Sequence, residues 1–369
     1  LDTNCLVEKL AYFGVGDLTL EWFQSYLNNR HQLCRINFNT HQEISSLRKV
    51  ESGVPQGSIL GPLLFSIFIS DIQFVPRYCK IHLYADDIQI YFSFDPQDEE
   101  FARQKVNLDL EEIYKWTSCN SLFLNSKKCV NILFGNPNQL QNLQHDLFIN
   151  NIKIPCHNTV TSLGVTLDSK LEFSQHVSLL CRMSYFRLKQ LAPLRTILDE
   201  GSKLVLINSL VLSHLTYCDI VYGPCLTENL KYKLQKIQYN CVRFTTHVPR
   251  FNHVTPYLRS LGQLKLNEQR FIHYVSFVSK VLAKKVPDYL FSKLCKRSDS
   301  HSRELRFVEK QLTIPTHMTA RFESSFSYLA PYIVNHLDQF LDMSSQVIKK
   351  QLIFDILRGT DLGISFNKF

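Results

Sequence analysis

Asp86 and Asp87 are adjacent in the segment KIHLYADDIQIYFSF, between two stretches in which apolar and polar residues alternate. Alternation with a period of two on either side of a short break predicts strand, tight turn, strand. Neighbouring carboxylates at such a tip repel unless a cation sits beside them. A divalent ion such as Mg²⁺ accepts carboxylate and phosphate oxygens together. Two such ions can stabilise the attacking and leaving oxygens of a phosphoryl transfer. An Asp-Asp pair is also ordinary turn chemistry, so Tyr84, Ala85, Asp86 and Asp87 do not decide the matter alone.

A second group of residues precedes this pair. SGVPQGSILGPLLF spans residues 52–65 and ends 21 residues before Asp86. Its glycines, Gly53, Gly57 and Gly61, let backbone approach a ligand closely. Pro55 fixes a turn, and Gln56 can both donate and accept hydrogen bonds. Taken alone, the segment is a Gly/Pro-rich loop entering an apolar helix near Leu63. Further on, Lys127 and Lys128 stand in a turn-like stretch. A lysine of lowered pKa can act as a general acid, and exposed lysines in turns are equally ordinary.

The elements that must carry these residues follow from periodicity. Leu6, Leu10 and Phe13, then Leu20, Phe23 and Leu27, predict two short helices separated at Gly14 and Gly16. His31 to Val50 predicts a hairpin, and the acid-led stretch from Asp95 to about Leu122 a helix. LFLNSKKCVNILFG and LFINNIKIPCHNTVTSLGVTLDS predict strands, with a turn at GNPNQ. From Phe173 the character is helical to about Lys296, with Val177, Leu180, Ser184, Leu188 and Leu191 as one buried stripe. Residues 297–320 are polar and predict a loop and domain boundary.

Composition sets the class. With 369 residues, 45% hydrophobic and only 12 Gly and 13 Pro, the chain has material for two or three folded domains. The apolar run Ile59–Ile69 is too short to cross a bilayer, and no targeting signal stands near Leu1. Eleven cysteines without a C-x-x-C pair suit free thiols in a reducing compartment. Charge is unevenly spread: residues 1–100 carry 7 basic and 13 acidic residues, leaving 34 basic against 20 acidic. An acidic centre followed by a basic platform suits a polyanion partner. Residues 173–198 contain no acid, and here Arg182, Arg187 and Lys189 lie off the buried stripe, interleaved with Tyr185 and Phe186. Bases with aromatics suit backbone contact and base stacking, although a solvated basic face gives the same pattern.

Together, the GVPQG loop and the YADD hairpin resemble motifs B and C of reverse transcriptases, at a matching spacing. WTSCNSLFLNSKKCVNILFG (116–135) looks like motif D of the non-LTR, jockey-like group. SLGVTLDSKLEFSQHV (162–177) looks like its primer-grip region, and LTIPTHMTARFESSFSYLAP (312–331) resembles the end segment of its polyproteins. The resemblance implies an α+β fold, with a palm of antiparallel sheet and helices followed by a mainly helical thumb. The implied domains are 1–168, 169–296 and 297–369. It implies RNA-directed DNA polymerase activity with Mg²⁺ (or Mn²⁺), an RNA template, a DNA primer and deoxynucleoside triphosphates, no membrane, and an intracellular location, nuclear and cytoplasmic.

Residue by residue, the resemblance makes Asp86 and Asp87 metal ligands and Lys128 the acid toward the leaving pyrophosphate. Pro55, Gln56, Gly57, Tyr84 and Ala85 would border the template base and incoming nucleotide, and Arg182, Arg187 and Lys189 the nucleic-acid strand. One departure matters: LDTN at Leu1 looks like only the tail of motif A. Asp2 then matches its last, non-catalytic Asp, and the metal-binding Asp is expected before Leu1, with the fingers. Residues 1–369 are thus expected to be inactive alone. The alternative is a degenerate or co-opted remnant that binds nucleic acid without catalysis.

Overall fold

In the computed structural model, residues 1–38, 41–140, 143, 146–296, 311–337 and 343–369 are described. They form two compact units, Leu1–Asn158 and Thr159–Phe369.

The first unit opens with two helices, α1 (Thr3–Tyr12) and α2 (Asp17–Leu27). The Asp2 carboxylate caps α1 by accepting from the Asn4 and Cys5 amides, which satisfies donors a helix start leaves orphaned. A hairpin follows, with β1 (His31–Gln32) paired to β4 (Arg48–Lys49) and β2 (Arg35–Phe38) paired to β3 (His41–Ile44). Helix α3 (Gly61–Ile69) starts two residues earlier than the apolar run suggests, with Pro62 in its first turn. There a proline's missing N–H costs nothing. It passes through a 3₁₀ turn, Ser70–Phe74, to β5 (Lys80–Tyr84) and β6 (Asp87–Tyr91). The long helix α4 (Glu99–Cys119), the single turn α5 (Pro137–Leu140) and the hairpin β7 (Leu147–Ile149) and β8 (Ile152–Ile154) complete the unit.

The second unit begins with a hairpin, β9 (Thr159–Ser162) and β10 (Val165–Asp168), and is otherwise helical. Helix α6 (Ser174–Leu191) buries Val177, Leu180, Ser184 and Leu191 as the spacing predicts. Helices α7 (Glu200–Ile207), α8 (Ser213–Thr216) and α9 (Asp219–Tyr222) follow, then α10 (Glu228–Thr246), α11 (Thr255–Ser260), α12 (Leu266–Lys284) and α13 (Asp288–Phe291). Last come α14 (Phe326–His336) and α15 (Ser345–Arg358). Helix α12 packs Phe271, Val275 and Val278 into one core with Leu329 and Ile333 of α14 and Ile348 and Leu352 of α15. The stretch 200–225 is apolar and long enough to cross a membrane. Its chain turns out of helix at Tyr217 and Cys218, and its Ile207, Val211, Leu215 and Tyr222 belong to the core around α6 and α10.

Two expectations differ from this architecture. No continuous sheet forms: the described strands pair only as five separate two-stranded ladders. Each strand is five residues or shorter, and the stretch that might have joined them does not extend. LFLNSKKCVNILFG turns at Ser126–Lys128 and, among the described residues, pairs as a strand through the single bridge Asn131–Cys156. The two compact units meet after Asn158, and within the second of them the Thr166 amide of β10 donates to His176 Nδ1 of α6 (3.3 Å). Among the described residues, α14 and α15 share the core begun by α12. Most of the boundary read at 297–320 lies outside the described residues.

Candidate active site

The hairpin β5–β6 is two-faced. Ile81 and Leu83 stand opposite Ile90 and Ile88 in register and turn inward, half-buried. They join a cluster with Phe65 and Ile69 of α3, Ile72, and Ile113 and Trp116 of α4. Lys80, His82, Tyr84, Asp87, Gln89 and Tyr91 occupy the exposed face. Ala85 and Asp86 are the two turn residues between the paired Tyr84 and Asp87. Ala85 has φ = 51°, the left-handed region that hairpin turns normally give to Gly or Asn. An L side chain held there costs roughly 1–2 kcal/mol, and such local strain concentrates at functional turns.

The entry to β5 is fixed by a residue that sequence reading did not single out. Asp109, buried on α4, accepts from the amides of Arg77 (2.9 Å), Tyr78 (2.9 Å) and Cys79 (2.6 Å). Burial by itself would push its carboxyl up; the three amide donors outweigh it and hold the group below the usual carboxylate range. Burial and then Asp109 push the Cys79 thiol up to about 12, so it stays protonated.

The GVPQG loop is also pinned at defined points. The Gly53 amide donates to the Leu1 carbonyl (2.8 Å). Arg30 donates Nε to the carbonyl of Leu27 at the end of α2 and Nη2 to the Gly53 carbonyl. Ser58 Oγ donates to the Pro55 carbonyl (2.7 Å) and accepts from the Gly61 amide (3.0 Å). Gly57 has φ = 82°, and a Cβ on Gly61 would lie 3.0 Å from the Pro55 carbonyl. Both positions therefore need glycine for stated reasons. Val54 and Leu60 anchor the loop in a core with Leu6, Leu10, Leu64 and Phe68, while Gln56 and Gly57 are left exposed.

Helix α3 links the two motifs. Its nine residues and the following five of 3₁₀ turn carry the chain about 23 Å away from the loop. The five residues of β5 run for about 16 Å. Packing of Phe65, early in α3, in the same cluster as the hairpin residues means that β5 returns along α3. Lys9 fastens α1 to the far end of α3, donating to the Phe68 carbonyl (2.7 Å) and to Asp71 (2.8 Å).

Residues 3–167 match the family of reverse transcriptases (RNA-dependent DNA polymerases). This stretch is a reverse transcriptase domain. The chain is 28% identical over 279 residues to the probable RNA-directed DNA polymerase from transposon BS of Drosophila melanogaster, covering 71% of this chain and 29% of that protein. It is 28% identical over 235 residues to the RNA-directed DNA polymerase from mobile element jockey of the same species, covering 61% and 25%. A third relative, the probable RNA-directed DNA polymerase from transposon X-element, is 27% identical over 242 residues, covering 64% and 25%. The chain thus matches less than a third of the length of these relatives. No solved structure matches it.

Within the reverse transcriptase domain, Asp86 and Asp87 are exposed, and neither carboxylate has a hydrogen-bond or ion-pair partner among the described residues. Two uncompensated carboxylates at a turn fit part of a divalent-ion site. Among the described residues, no third His, Cys, Asp or Glu joins them to complete a metal-holding group. Lys128 is exposed in the turn its neighbours predict, its amide bonded to the Asn125 carbonyl. In the second unit, Arg182 and Lys189 are exposed seven residues apart on one face of α6, with Tyr185 and Phe186 between them. Arg187 is only half exposed and lies toward a different side of that helix.

Proposed function

We propose that residues 1–369 are the palm and thumb portion of a retrotransposon RNA-directed DNA polymerase, which adds deoxynucleotides to a primer 3′-hydroxyl on an RNA template. The observation that carries this is the attachment of the GVPQG loop and the Asp86–Asp87 hairpin to one packed unit through α3. In this reading Asp86 and Asp87 hold the divalent ions, Mg²⁺ or Mn²⁺. When bound, these neutralise charge on the triphosphate and on the attacking hydroxyl. Gln56 and the exposed Gly57 backbone border the nucleotide, with Pro55 setting their turn and Tyr84 and Ala85 flanking the carboxylates. Lys128 serves as the proton donor to pyrophosphate.

The α6 face favours a nucleic-acid-binding role that does not depend on catalysis. Arg182 and Lys189 would meet strand phosphates, with Arg187 at the margin, and the exposed Phe186 ring offers a stacking surface. A remnant without catalysis would keep this face and lose the use of the hairpin.

Primer extension distinguishes the two readings. Residues 1–369 are assayed with Mg²⁺ or Mn²⁺ beside a form extended upstream through the segment the resemblance places before Leu1. Phosphoryl transfer rests on positioning and charge neutralisation, so residues 1–369 alone should be slower by orders of magnitude. The extended form should be active and should lose activity with Asp86→Ala. Inactivity of the extended form would support the remnant.

A further inference from the structure

Cations gather at the C-terminal end of α10. Arg195 Nη2 donates to the Arg243 carbonyl (3.1 Å), and Lys203 Nζ lies 2.7 Å from His247 Nε2. Arg243 Nη2 donates to the Arg250 carbonyl (3.1 Å). Helix C-termini attract cations through their orphan carbonyls, which accounts for Arg195; Arg243 Nη2 instead meets the turn beyond the helix, donating also to the Asn252 carbonyl (3.5 Å). The rest is unaccounted for. Arg243 Nε is buried and has no hydrogen-bond partner among the described residues, a costly condition for a charged donor.

Beside it opens a cavity of about 270 Å³, lined by Tyr239, Arg243, Arg250, Phe251, Asn252 and His253 among others, with no acidic residue in its wall. Phe251 is 96% exposed. A guanidinium fork matches phosphate oxygens in a bidentate way. An exposed ring beside it is the arrangement that stacks a nucleobase in single-strand binding.

We propose that this cavity is a nucleotide pocket for a single strand of nucleic acid, in which Arg243 and Arg250 take a phosphate and Phe251 stacks the attached base. The proposal rests on the nucleic-acid-binding reading of this unit and adds a strand contact outside the α6 face. It predicts that both phosphate and base are needed.

Phe251→Trp in the full chain, titrated with thymidine 5′-monophosphate, thymidine, ribose 5-phosphate and inorganic phosphate, tests this directly. The monophosphate should quench the introduced indole saturably, and thymidine and ribose 5-phosphate should bind at least tenfold more weakly. Arg250→Gln, at an exposed position that leaves the fold alone, and Arg243→Lys should each weaken the monophosphate severalfold. Absence of saturable quenching, or quenching indifferent to both arginines, overturns the proposal. A labelled single-stranded oligonucleotide separates this from the wider reading. Arg250→Gln should lower the salt slope of binding by about one. Binding that depends on Arg182 and Lys189 but not on Arg250 or Phe251 would overturn the pocket while leaving the α6 face intact. No binding by the unaltered chain at low salt would overturn both.

Discussion

Asp109 accepts from three consecutive amides and so fixes where β5 begins, at Lys80, four residues before Tyr84 opens the turn. Asp109→Asn would turn an amide N–H₂ toward donors that need an acceptor, leaving at least one buried N–H unsatisfied, at a cost of roughly 1–3 kcal/mol. Trp116 shares a cluster with the hairpin, so its fluorescence in urea reports the loss. An unchanged midpoint would show that the amides have another acceptor. Asp86, Asp87, Gln56 and the loop glycines were legible in the sequence because their chemistry is local: a turn, a positive φ, a close backbone approach. Asp109, Arg30 and Ser58 were not, because what makes them matter is the backbone they meet. For Asp109 that backbone is about thirty residues away, and no periodicity marks it. Asp2 was legible as a position in a motif, and the structure adds its local task as the α1 cap.

Helices were read well from spacing, since burial of one face leaves a periodic trace, as along α6. The stretch 122–135 was misread as strands. It has strand-like apolar content, but an edge needs a partner, and here the chain turns at Ser126–Lys128 and, among the described residues, pairs through one bridge. His176 was likewise hidden within the α6 pattern. It is buried, its Nδ1 accepts from the Thr166 amide, and its Nε2 has no partner among the described residues. Burial pushes its pKa below the ordinary value. The unfolded chain then takes up the proton first, so this contribution to stability is present above about pH 6.5 and is lost as pH falls through the lower folded value. The urea midpoint of the helical signal should therefore fall between neutral pH and about pH 5. His176→Asn should flatten that dependence. A His176 resonance titrating at or above 6.5 would contradict it.

At the scale of the whole chain, charge and fold divide in the same sense: the carboxylate pair belongs to Leu1–Asn158 and the basic-aromatic face of α6 to Thr159–Phe369. If that face neutralises strand phosphates, log affinity for oligonucleotides should fall linearly with log salt. The slope should be about −0.7 to −0.9 for each phosphate met. Combining Arg182→Gln with Lys189→Gln should make the slope shallower by up to two such contacts. An unchanged slope would move the strand elsewhere on the molecule.

In the proposed enzyme the Asp86–Asp87 turn and the GVPQG loop border one divalent-ion and nucleotide site. Replacing Mg²⁺ with Fe²⁺ and generating hydroxyl radicals at the bound ion cuts the backbone where it lies close to the metal. In the presence of a deoxynucleoside triphosphate, cuts are expected at two separated places, around residues 84–87 and around residues 53–58, and Asp86→Asn combined with Asp87→Asn should abolish both. Cutting at the hairpin alone, or a pattern indifferent to the two aspartates, would show that the loop and the hairpin do not share a site.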